Sequence, residues 1–119
     1  MSVYEKVFDK LEDKSFDVYA PNTHQGDCKS NYVVVRSGSK IPTGSFSSQT
    51  AIIDVLCYVP GNRYTDIEVY TNDVKDSLRE LFPQIIPTGT ETIPFYDETI
   101  DGWMVSVEYK YAIRNKYIR

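Results

Sequence analysis

The sequence is poor in the residues that carry out chemistry. His24 is its only histidine, and Cys28 and Cys57 are its only cysteines. Two cysteines are too few for a disulfide scaffold, and free thiols fit synthesis in a reducing cytoplasm. His24 and Cys28 form a His-x3-Cys pair, but a zinc site takes three or four ligands. Cys57 would have to join them from the middle of a strand, so neither a metal nor a cofactor is expected. Nothing beside His24 in sequence orients an imidazole to activate a cysteine nucleophile. Gly38-Ser39-Lys40 lacks the earlier glycine of a phosphate-binding loop, and no dinucleotide fingerprint is present. No apolar run approaches the roughly 20 residues that cross a bilayer. Met1-Ser2-Val3-Tyr4-Glu5 has neither the basic nor the apolar stretch of a signal peptide. The expectation is a protein that is not an enzyme and has no membrane partner.

Basic charge is also scarce. Thirteen Lys and Arg face 17 Asp and Glu, for a net charge of −4. That balance argues against holding phosphates by overall charge. Lys10, Lys14 and the sparse terminal run Arg114, Lys116 and Arg119 read as solvated ends. What remains is an ordinary globular composition, 41% hydrophobic and 25% charged, which excludes disorder along the whole chain. Residues 1–119 are read as a single domain, long enough to bury a core without metal or disulfide staples.

Ser2 and Glu5 match a capping box, and Val3, Tyr4, Val7, Phe8 and Leu11 follow at helical spacing to about Asp13. The aperiodic stretch from Tyr19 to Ser30 reads as a surface loop. Tyr32-Val33-Val34-Val35-Arg36 reads as a strand, followed by an extended contact loop over residues 37–48. From Gln49 to Val59, Ala51, Ile53, Val55, Cys57 and Val59 form one apolar row; Thr50, Ile52, Asp54, Leu56 and Tyr58 form a second, mostly apolar one. Such a strand belongs mid-sheet, covered on both faces. After Pro60-Gly61, Thr65 to Glu68 suggests a second capping box, and Ile67, Tyr70, Val74, Leu78 and Leu81 mark a helix that Pro83 ends. A short edge strand is expected over Glu91 to Tyr96, with Pro94 in it. A turn at residues 97–102 then leads into a last strand whose apolar face is Trp103, Val105, Val107, Tyr109, Tyr111 and Ile113.

The order helix, strand, strand, helix, strand, strand predicts an α+β fold: one sheet of about four strands, two helices on one face and long loops between strands. If both helices lie on one face, the second apolar row needs another cover. A neighbouring copy meeting Ile52, Leu56 and Tyr58, with Ile41, Pro42 and Phe46 of the extended loop, would supply it. Asp54 is expected to pair across the sheet with Arg36 or Lys110. Asp97, Glu98 and Asp101 read as a solvated turn in preference to an acid/base pair. The ten tyrosines are assigned to core and interfaces before base stacking.

The same succession resembles the tail terminator or tail completion proteins of long-tailed bacteriophages. Its carriers are the helix at Val3–Leu11, the strand at Tyr32–Arg36, the loop through Pro42-Thr43-Gly44, the strand with Ile52-Ile53-Asp54-Val55, the helix at Asp66–Leu81 and the tyrosine-rich strand at Val105–Ile113. The resemblance covers nearly the whole chain and rests on pattern and length. It implies a homohexameric ring, located in the virion at the head-proximal end of the tail. Such a ring caps the tail tube protein, meets the head-tail connector and lets DNA pass without specific binding. Asp97, Glu98 and Asp101 would then line the channel, where like charge keeps DNA from sticking. A head-tail connector or a tail tube subunit shares this style of design, and a small ligand-binding or enzymatic domain is the alternative of a different kind.

Overall fold

The computed structural model describes residues 2–42 and 48–114. The order of elements is α1 (Val3–Asp13), β1 (Val18–Tyr19), β2 (Tyr32–Pro42), β3 (Ser48–Pro60), α2 (Ile67–Leu78), β4 (Ile86–Glu91), β5 (Phe95–Asp97) and β6 (Gly102–Arg114). All strands join one mixed sheet in the order β1-β2-β3-β6-β4, with β5 also pairing on β6. β1 runs parallel to β2; every other pairing is antiparallel.

The odd-numbered face of β3 is the core. Ile53, Val55, Cys57 and Val59 are fully buried beside Val33 and Val35 of β2 and Val105, Val107 and Tyr109 of β6. Val7 and Leu11 of α1 and Ile67, Val74 and Leu78 of α2 close over them. Both helices therefore pack on one face, each turning its single apolar stripe to the shared core. The Ser2 hydroxyl accepts the Glu5 amide at 3.1 Å and donates its own proton to the Glu5 carboxylate at 3.2 Å, so the serine half of the first capping box forms. The second does not. A 3-10 turn at Tyr64–Asp66 leads into α2, and the Asp66 carboxylate is held by Arg63 instead of by a helix amide.

Six strands replace the expected four, for three reasons. Val18 and Tyr19 lie at the start of the presumed loop but add a parallel edge to Val33 and Val34, a pairing too short for periodicity to reveal. The supposed strand at residues 91–96 is two edge pieces, split where Pro94 cannot donate to a ladder. Pro87 and Gly89, read as loop residues, fall inside β4, where the register shifts between Pro87 and Glu91. The presumed loop over 37–48 is also largely strand, because β2 continues to Pro42 through an irregularity between Ser37 and Lys40. At that irregularity Gly38 is a packing necessity: a Cβ there would lie 2.9 Å from Ile52 Cγ2.

Strand and helix lengths do not match. β3 and β6 each have 13 residues, about 43 Å of chain, whereas the 12 residues of α2 span about 18 Å. The helices cover only part of the sheet, and the ends of β2, β3 and β6 continue past them as a three-stranded arm. The molecule measures 53 × 26 × 25 Å as a result.

Candidate assembly surface

The even-numbered side of the sheet carries no helix among the described residues. Its rungs can be read from the strand register: Tyr32, Tyr58, Met104 and Phe95; then Val34, Leu56 and Ser106; then Arg36, Asp54 and Glu108; then Ile52, Lys110 and Ile86. Two apolar rungs at one end are thus separated from Ile52 and Ile86 by a charged rung.

Part of this face is covered by the chain itself. His24 stacks on Tyr32 with centroids 3.8 Å apart, Tyr32 stacks on Tyr58 at 4.6 Å, and Tyr19 meets both His24 and Tyr32 edge-on. The Cys28 amide donates to the Ile100 carbonyl at 2.7 Å, tying the same loop to the turn before β6. This loop leaves Tyr32 buried, and burial pushes its phenol well above the ordinary tyrosine range. His24 therefore acts as a stacking ring over the sheet. Cys28 packs at Gly102, where a Cβ would come within 2.8 Å of its own, and its thiol donates to the Ser30 carbonyl at 3.4 Å. Burial and the nearby Asp101 carboxylate push that thiol up to about 11. Cys57 lies on the opposite, helix-covered face, and burial pushes it up to about 12.

The expected contact residues differ among themselves. Leu56 is only 6% exposed, flanked by Val34 and Ser106. Tyr58 and Ile52 are half-buried, Tyr58 in the row of rings and Ile52 over Gly38. Ile41 and Pro42 are placed in β2, although their side chains lie outside the described residues, as does the whole of Phe46. Asp54 pairs with Arg36 at 3.0 Å, as its place on an apolar strand required, while Lys110 makes no ion pair among the described residues.

Asp97, Glu98 and Asp101 lie together at the end of the sheet remote from the arm, since β6 runs from Gly102 there to Arg114. Two of the three carboxylates brace the turn. Asp97 Oδ1 accepts the Thr99 amide at 3.0 Å and the Thr99 hydroxyl at 2.6 Å; Asp101 Oδ1 accepts the Tyr96 hydroxyl at 2.6 Å. Asp101 sits at φ 49°, a left-handed conformation that Asp tolerates better than most residues. Glu98 is exposed and makes no hydrogen bond or ion pair among the described residues.

One feature escaped the sequence pattern. A cleft of about 750 Å³ opens between the N-terminal half of α2 and the β4–β5 connection, with Ile67, Thr71 and Val105 among its lining residues and Tyr64, Glu68 and Ile93 around it. The Lys75–Glu91 pair at 2.8 Å joins its two walls. Ile93 is 82% exposed. Its position next to Pro94 in an interrupted edge was the available signal, since an isoleucine there has no pleat on which to pack. The exposed Phe82 belongs to a smaller cleft of about 450 Å³ with Leu78, Ile85 and Tyr109.

The geometry defines an α+β domain with a helix-free sheet face, a projecting arm and an uncovered side cleft. No protein-family model matches the chain, and no curated protein matches it significantly. No helix among the described residues is long and apolar enough to cross a membrane.

Proposed function

We propose that this chain is a structural subunit that closes into a ring, and that the ring is the terminator of a long-tailed bacteriophage tail. In this role it is a virion protein without catalytic activity. It caps the tail tube, presents a docking surface to the head connector and leaves a passage for DNA. The observation that carries the reading is the arm. Three strands continue beyond the helices, and at the base of that arm, on the helix-free face, Ile52 and Lys110 lie side by side in a rung that Ile86 of β4 completes, with no helix over them among the described residues. A monomer gains little from such an extension, because a sheet stabilises itself by burying at least one face. A head-to-tail neighbour gives it that cover, and head-to-tail contacts close into rings when the rotation permits.

Within such a ring the resemblance described above supplies the biological setting, and the overall acidic balance suits a wall past which DNA slides. Asp97, Glu98 and Asp101 are proposed to face the passage. The role of Asp97 and Asp101 in bracing their turn is compatible with this, and Glu98 projects freely.

Native mass spectrometry of the purified protein, followed by electron-microscopic imaging, tests the reading. The expected result is a six-subunit annulus. A protein that stays monomeric at high micromolar concentration, alone and with tail tubes, contradicts it.

A further inference from the structure

Head-to-tail closure needs two different surfaces, and the arm is only one of them. We propose that the second is the cleft between α2 and the β4–β5 connection, and that its occupant is the arm of the adjacent copy. This inference rests on the ring reading and specifies how its subunits join.

Charge is the first ground. Among the described residues the arm, 37–42 and 48–53 with 110–114, contains Lys40, Lys110 and Arg114 and not a single Asp or Glu. The other described residues hold eight cations against all 17 acids. The protein is a basic extension on an acidic body. Lys40 and Lys110 are exposed and make no ion pair among the described residues. Glu68, at the cleft, is likewise exposed and unpaired among them. Complementary charge of this kind steers two copies together and fixes their relative orientation.

Apolar surface is the second ground. Ile93 and Tyr64, both well exposed, flank a floor of Ile67 and Val105, which the chain itself buries to 4% and 5% exposure, so the free apolar surface is that of the two flanking side chains. On the arm, Ile52 lies opposite Lys110 across the β3–β6 ladder, so one rung presents an aliphatic group beside a cation. Docking that rung sets Ile52 toward Ile93 and Lys110 toward Glu68.

Distance is the third. Along β6, Val105 in the cleft floor and Lys110 in the docking rung are five residues apart, about 17 Å of extended chain, and odd and even positions face opposite sides of the sheet. A subunit therefore cannot seat its own rung in its own cleft, and another copy supplies the occupant.

A charge swap tests the pairing. Lys110→Glu, Glu68→Lys and the double variant are followed by light scattering and sedimentation from 0.05 to 0.5 M salt, with circular dichroism as the check on folding. Each single variant is expected to weaken association about fivefold or more per contact, and the double variant to recover it to within about twofold. Ile93→Asp, at an exposed site, should weaken association as well. Normal rings from both single variants and from Ile93→Asp would overturn this pairing while leaving the ring reading intact. A wild-type chain that never assembles would overturn both. A Lys110→Glu variant that assembles normally but loses affinity for a short DNA duplex would make the arm a phosphate contact and also overturn the proposal.

Discussion

Neighbouring isoleucines on β3 offer a comparison in which the chain serves as its own control. Ile53 points into the helix-covered core and is fully buried, whereas Ile52 points to the helix-free face and is half-buried over Gly38. Truncating Ile53 to Ala removes three buried carbons and leaves a cavity among Val35, Val55 and Tyr109, a change that costs about 3 to 4 kcal/mol. Truncating Ile52 removes the same atoms from a site that is already wet and costs about 1 kcal/mol in an isolated subunit. For a domain of this size about 4 °C of melting temperature corresponds to each kcal/mol. Ile53→Ala is therefore expected to melt about 12 to 16 °C below wild type and Ile52→Ala about 4 °C below. The assay is thermal unfolding by circular dichroism at a protein concentration low enough to hold monomers, repeated where the protein assembles. In the assembled sample the Ile52→Ala penalty should grow, because burial by a neighbour is then lost too. Equal penalties at low concentration would refute the assignment of faces. An Ile52→Ala penalty that does not change with concentration would refute the claim that a neighbour covers this face.

Four further outcomes follow from individual side chains. Thr71 is buried with no well-formed hydrogen bond from its hydroxyl among the described residues, only a weak contact with the Cys57 thiol, so Thr71→Val should raise the melting temperature by about 2 to 6 °C in the same assay. Cys57 is held up to about 12, so it binds its proton in the folded chain at pH values where the unfolded thiol, near 8.5, has lost it. Stability should then fall as pH rises above about 8.5, by about 1.4 kcal/mol per pH unit from this thiol and further from Cys28, which is held up to about 11, and urea titrations from pH 7 to 10 measure the summed slope. At pH 8 both thiols should resist a thiol reagent until denaturant is added. His24→Ala should cost about 1 kcal/mol through the lost stack on Tyr32 and leave assembly unchanged; loss of assembly or of a measurable catalytic rate would show that the imidazole does more than stack.

Sequence reading succeeded where one face of an element meets one environment. The periodicity of Val7 and Leu11, of Val74 and Leu78 and of Ile53 to Val59 is the direct imprint of a single core, and all of these residues meet there. Arg36 was legible, alongside Lys110, as one of two candidate partners for Asp54, because a carboxylate in an apolar strand needs a cation. Reading failed where pairing partners lie far apart in sequence and the elements are short. Nothing local in Val18-Tyr19 or in residues 86–90 announces an edge strand, and the single edge strand expected over residues 91–96 is two pieces, because the partner's ladder supplies the hydrogen bonds that shape them. The length of the arm was hidden for a similar reason. Ser37, Gly38, Ser39 and Lys40 have the composition of a loop, yet β3 captures them as strand through the irregularity at Gly38. On the helix-free face, the second apolar row of β3 was visible, but not the loop with His24 that covers one end of it. The side cleft between α2 and the β4–β5 connection could not be read at all, because it is created by packing.

The central claim is that the arm and helix-free face are made for a neighbour, and the mass of the native particle tests it most directly. Native mass spectrometry across a range of protein concentrations should resolve a closed six-subunit species that Lys110→Glu or Ile93→Asp depletes. A single 13.7 kDa species at every concentration, unaltered by these substitutions, would contradict the account.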